Sequence, residues 1–285
     1  MRPLAMGVFA AVVLTACSGP VPDPSTSSLP APAIGAVSTG IATVGQITRP
    51  IDAYMLPADQ IVASEGTRLR TADACMSDRG YQSADVRADT DLAPAIAAGV
   101  RDRVVRSDLY GFFDSLDAAR RYGYQAPAGG AGSYGVTWSP DVPQDVVDAC
   151  FAQAAAAAGA ENSLDLTTTQ GLPDGGPTVP SGDPTYVAAV ADWSGCMTER
   201  GYTYTDPQAA LGDPRWSQDR ASDQASAAQI ATAVADVECK ISTNLIGVAV
   251  AVQSAYDQQY IQSHTDQLSA YRTHLLAVVA GTAGQ

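Results

Sequence analysis

The chain has 285 residues, 46% hydrophobic and 16% charged, with a formal net charge of −14 from 30 acids against 16 bases. That balance argues against a nucleic-acid partner, which needs clustered Lys and Arg against phosphate, and against electrostatic docking on an anionic membrane. It is too apolar and too weakly charged for a disordered chain, so one or two domains with a sizeable core are expected.

The N-terminus reads as an export signal over residues 1–16. Arg2 is a short positive region, and Leu4 to Leu14 is apolar but too short to span a membrane. Leu14-Thr15-Ala16-Cys17 follows, which resembles the lipobox of bacterial lipoproteins. The small side chains suit a signal peptidase, and the Cys17 thiol is the lipid acceptor. The expected membrane contact is therefore an acyl anchor on Cys17 at the start of the mature chain, held by several chains at about 0.8 kcal/mol per buried CH₂. Residues 17–48 are rich in Pro, Ser, Ala, Gly and Thr and read as a flexible tether.

A first helical repeat is expected over 49–166. Pro57 opens its first helix, with Leu69, Ala72 and Met76 on one stripe. That helix ends in Cys75-Met76-Ser77-Asp78-Arg79-Gly80-Tyr81, which recurs as Cys196-Met197-Thr198-Glu199-Arg200-Gly201-Tyr202. Gly80 and Gly201 suit the left-handed position after a helix, and the tyrosines can fold back on the last turn, so the motif reads as a helix stop. Between the first motif and an Ala-rich helix over 143–158, aromatics sit beside glycines. This part is the least helical, an irregular or short β insertion. Tyr122, Tyr124 and Trp138 are its candidate ligand surface, because rings of this type stack on sugars; the competing reading packs them in the core.

Residues 167–182 read as a loop. The second repeat, 183–285, opens with Asp183 as cap and Pro184 at the first helical position, and Tyr186, Val190, Trp193 and Met197 form one stripe. Ile230, Val234, Val237, Ile241, Leu245, Val248, Val252, Tyr256 and Tyr260 predict one long C-terminal helix from about Ala221 to Leu276, with Gly247 as a kink point. Four cysteines besides Cys17 make an even set for an oxidising compartment. Cys75–Cys150 and Cys196–Cys239, one bridge per repeat, is the expected pairing; crossed pairings stay open.

The fold expected is mainly α: two related helical halves, each with one disulfide, and a long C-terminal helix along both. Together the lipobox, Arg49-Pro50-Ile51-Asp52-Ala53-Tyr54, the two Cys-Met motifs, Ala119-Arg120-Arg121-Tyr122-Gly123-Tyr124 and Asp236-Val237-Glu238-Cys239 resemble a family of uncharacterised lipoproteins of high-G+C Gram-positive (actinobacterial) bacteria. The resemblance covers nearly all of the chain after the tether. It implies an exported lipoprotein and this architecture, and it implies no reaction.

Catalytic patterns are missing. His264 and His274 are ten residues apart, about 15 Å along a helix and about 80° around it, so they cannot share a metal. No GxSxG, GxxxxGK[ST], HExxH or calcium loop is present. The acids read as a solvated face. No catalytic residue, metal ligand or cofactor is assigned. The expected function is a non-enzymatic, lipid-anchored binding or scaffolding module at the outer face of the membrane, facing peptidoglycan or an envelope protein. The alternatives are an exported envelope hydrolase and, further behind, a transporter-linked solute receptor, whose α/β rhythm this chain lacks.

Overall fold

A computed structural model describes residues 30–81, 83–86, 89–125, 136–138, 141–158, 166, 169–222 and 224–280. The expected export signal, the lipobox-like segment and Cys17 lie outside them. In chain order come α1 (Ala58–Asp78), β1 (Ser83–Val86), α2 (Asp89–Val105), β2 (Arg106–Ser107), β3 (Gly111–Phe112), α3 (Leu116–Tyr122), β4 (Val136–Trp138) and α4 (Gln144–Ala158). The second half holds α5 (Pro184–Glu199), α6 (Pro207–Leu211), α7 (Ser217–Ser222), α8 (Ala227–Ser242), α9 (Leu245–Ser263) and α10 (Thr265–Val279). The fold is mainly helical, with two small antiparallel pairs, β1 with β4 and β2 with β3. None of the described helices is long and apolar enough to cross a membrane.

The duplicated motif is a helix stop in both copies. Gly80 and Gly201 sit at φ +85° and +86°, a conformation that costs a side-chain-bearing residue about 1–2 kcal/mol. Tyr81 N–H reaches back to Met76 O at 3.0 Å and Tyr202 N–H to Met197 O at 2.9 Å, which satisfies carbonyls the helix end would otherwise leave open. At the other end of α5, Asp183 Oδ1 accepts Thr185 N–H at 2.9 Å and Pro184 starts the helix. The two bridges are Cys75–Cys150 and Cys196–Cys239, with Cα atoms 5.5 and 5.7 Å apart. The first ties α1 to α4 and the second ties α5 to α8.

Three features differ from the sequence reading. The expected tether over 17–48 does not run to residue 48, because the chain joins the compact body from Pro32. Ile41 is buried, Ile34 and Val44 pack on the main core, Val44 N–H donates to Asp114 O, and Asn244 Nδ2 donates to Ser38 O at 3.0 Å. We call residues 33–56 the strap. Its Ala, Gly and Ser residues resemble a linker by composition, yet small side chains also let a backbone lie close against a helix. A Cβ on Gly247 would stand 2.0 Å from Ser38 O, so α9 carries glycine where the strap crosses it.

The C-terminal helical run is present but divided into α8, α9 and α10. The first break falls at Asn244, φ +55°, three residues before Gly247; asparagine is among the few residues that tolerate the left-handed region. The second falls at His264, φ −125°. The run packs along both halves as expected, α8 and α9 against α5, and α10 against α1 and α4. The third difference is α2, a helix within the insertion that the sequence reading missed, with Pro94 inside it.

The core also crosses the repeat boundary. Residues 105–124 of the first half pack with α5, α6, α8 and α9 around Trp193, Trp216 and Phe113. In exchange, Leu275 of α10 joins Ile61 of α1 and Ile96 of α2.

Candidate functional site

The aromatic insertion was the candidate ligand surface, and in the structure most of it is core. Tyr110 and Phe113 meet edge to face at 6.3 Å, as do Phe112 and Tyr124 at 5.6 Å. Tyr124 is 3% exposed, so it cannot stack on a sugar. Tyr122 is half-buried on the last turn of α3, and the Trp138 side chain lies outside the described part of the structure. The three residues do not assemble a described binding face. The reason is local: the β2–β3 turn and α3 lie against α8, and their rings fill that seam.

Behind the rings is a polar cluster that the sequence reading did not find. Asp236 and Lys240 stand one turn apart on α8, both completely buried, with Lys240 Nζ 2.7 Å from Asp236 Oδ2. Lys240 Nζ also donates to Phe112 O at 2.7 Å. Trp193 Nε1, from α5, donates to Asp236 Oδ1 at 3.0 Å, and Tyr124 Oη donates to Oδ2 at 3.3 Å. Gln229 Oε1 accepts Tyr124 N–H at 3.1 Å. One carboxylate therefore joins α5, α8 and Tyr124, two residues beyond α3. Burial pushes the Asp236 carboxyl up and the Lys240 amine down, each opposed by the partner's charge. Burial also holds the Tyr124 phenol well above its usual range, and the Asp236 charge adds to it.

Of the other buried acids, Glu65, Asp114 and Asp257 have bases of their own, while Asp183 caps α5, so these four are not part of the solvated face expected of the acids. Arg49 grips Asp257 through Nε at 2.9 Å and Nη2 at 2.6 Å, and Gln253 Nε2 donates to Oδ1 at 3.1 Å. Arg68 grips Glu65 on α1, and Arg101 pairs with Asp114. His264 faces Asp174 at 3.3 Å and stacks on Tyr260 at 4.3 Å, while His274 is exposed on α10. Among the described residues no group of three His, Cys, Asp or Glu is placed to hold a metal ion.

The strap and α9 enclose a surface groove of about 270 Å³, walled by Ala33, Gly35 and Ala36 on one side and Ala251, Ser254 and Gln258 on the other. Its lining offers small apolar faces, the three hydroxyls of Ser38, Thr48 and Ser254 and the amide of Gln258, with no titratable side chain. It suits a neutral, hydrogen-bonding ligand better than acid–base chemistry. The signal in the sequence was the small-residue composition of the strap, which fits a linker equally well. Compared with known proteins, the chain matches no family model, no curated protein and no solved structure.

Proposed function

We propose that this chain is a lipid-anchored, non-catalytic binding module of the cell envelope, held at the outer face of the membrane through Cys17. The observation that carries the reading is the cysteine arithmetic. Of five cysteines, the four in the folded body form two bridges, which persist in an oxidising compartment. The fifth is Cys17 within Leu14-Thr15-Ala16-Cys17, where an acyl acceptor is needed. The body offers a neutral groove beside the strap, lined by small apolar and hydrogen-bonding side chains, which supports binding over hydrolysis. A cell-wall glycan fits the groove's chemistry. An envelope protein is the other outcome of the test.

The test is co-sedimentation of the oxidised mature chain with insoluble peptidoglycan, using Ser254→Arg to fill the groove. Saturable binding that Ser254→Arg removes while the fold is kept supports the reading. Absence of binding moves the partner to an envelope protein, and turnover of the glycan overturns the non-catalytic assignment.

A further inference from the structure

Lys240 is the only lysine in the chain; the remaining 15 of the 16 bases are arginine. Elsewhere in this protein the base that meets a buried acid is arginine, as with Arg49 and Arg68. Arginine stays charged in proteins, whereas a buried lysine can lose its proton and become a nucleophile. The one site with lysine is also, among the described residues, the most deeply enclosed ion pair, 0% exposed on both sides.

We propose that Lys240 and Asp236 condense to an intramolecular amide that staples one turn of α8. The reactants are already in place. Nζ stands 2.7 Å from Oδ2, and residues at i and i+4 lie one above the other, so the bond closes without unwinding the helix. Phe112 O, 2.7 Å away, accepts a second N–H and fixes the amine's direction. Trp193 Nε1–H points at Oδ1, the oxygen on which negative charge gathers as the carbonyl carbon turns tetrahedral. Tyr124 Oη lies on Oδ2, the oxygen that must leave.

The ammonium first passes a proton to the carboxylate across their hydrogen bond. Burial favours these neutral forms on both sides. The nitrogen lone pair then attacks Cγ, and Oδ1 takes the electron pair. Collapse expels Oδ2 as water, which carries away a second proton from the nitrogen through the Tyr124 hydroxyl. One C–N bond forms, one C–O bond breaks, one water leaves, and nothing is oxidised or reduced. The product replaces a buried ionisable pair with a neutral amide.

Mass spectrometry of the full mature chain, digested after denaturation, tests this without any variant. The peptide holding residues 236–240 is expected one water lighter than its sequence, with an ε-amine that does not react with an amine reagent. Lys240→Arg is expected to keep full mass. Tyr124→Phe is expected to form the light species about 100-fold more slowly after refolding, the lower end of what a positioned proton donor supplies. A full-mass peptide with a reactive amine overturns the proposal. So does a water loss with the amine still reactive, which marks a succinimide at the aspartate, and so does an unchanged rate in Tyr124→Phe.

Discussion

Arg49 forks onto Asp257 across 208 positions of sequence, through two hydrogen bonds of 2.9 and 2.6 Å. Asp257 is wholly enclosed, while the arginine keeps 27% of its side chain exposed. This pair fastens the strap to α9, because the Arg49 backbone N–H is itself held by Asp52 at 2.7 Å. Arg49→Ala leaves a buried carboxylate with only Gln253 as partner. Loss of one member of a buried pair costs about 3 kcal/mol or more, read as a lower urea midpoint. Arg49→Lys restores the charge but not the fork, and should recover only part of it.

Gly247 lets the strap cross α9. A methyl there must displace Ser38 O, which is backbone and cannot swing aside. Gly247→Ala is expected to cost about 1–3 kcal/mol, the usual range for overpacking. Limited proteolysis should show faster cleavage between residues 30 and 40, with α8 and α9 still protected. Unchanged protection of the strap would contradict the packing described.

The bridges close segments whose ends are 75 and 43 residues apart. On chain-entropy grounds each contributes roughly 4 kcal/mol. Cys196→Ser should lower the melting temperature and leave Cys239 as the thiol labelled after unfolding, with Cys150 still blocked. Labelling of Cys150 instead would mean a crossed pairing.

Burial pushes the phenols of Tyr186, Tyr204 and Tyr260 up to about 12 from 10.0. The unfolded phenols lose their protons near 10 while the folded ones keep them. The native state therefore binds more protons in this window, and stability falls as pH rises from 10 to 12. Phenolate absorbance should rise steeply with loss of helical circular dichroism. A gradual rise near pH 10 with the helices intact would contradict this.

Features governed by nearest neighbours along the chain were readable from the sequence. The motif from Cys196 to Tyr202, the Asp183 cap and the stripe through Trp193 depend on one helix and its ends, and all three are found where the spacing places them. The pairing of Cys75 with Cys150 is the one the duplication favoured while crossed pairings stayed open. What a face packs against is not written in its own periodicity. The seam through Val237 and Leu245 is real, yet the most deeply covered face of α8 is the adjacent one carrying Gln229, Asp236 and Lys240. Apolar spacing cannot reveal a polar face that three other segments enclose. Tyr124 reads equally as ligand platform or core until α8 is known to lie over it. The strap was hidden for the same reason, since alanine and glycine describe both a free linker and a close-packed one.

The central claim is that Cys17 carries lipid while the other four cysteines are oxidised. It is tested most directly by detergent extraction of the native protein from membranes, followed by mass spectrometry of its N-terminal peptide with and without Cys17→Ala. The account predicts a mature chain that begins at Cys17, bears acyl mass and has no other free thiol, and a Cys17→Ala chain that is unprocessed or released. A chain cut elsewhere with a free Cys17 thiol, or a Cys17→Ala protein that is processed and membrane-bound as before, would contradict it.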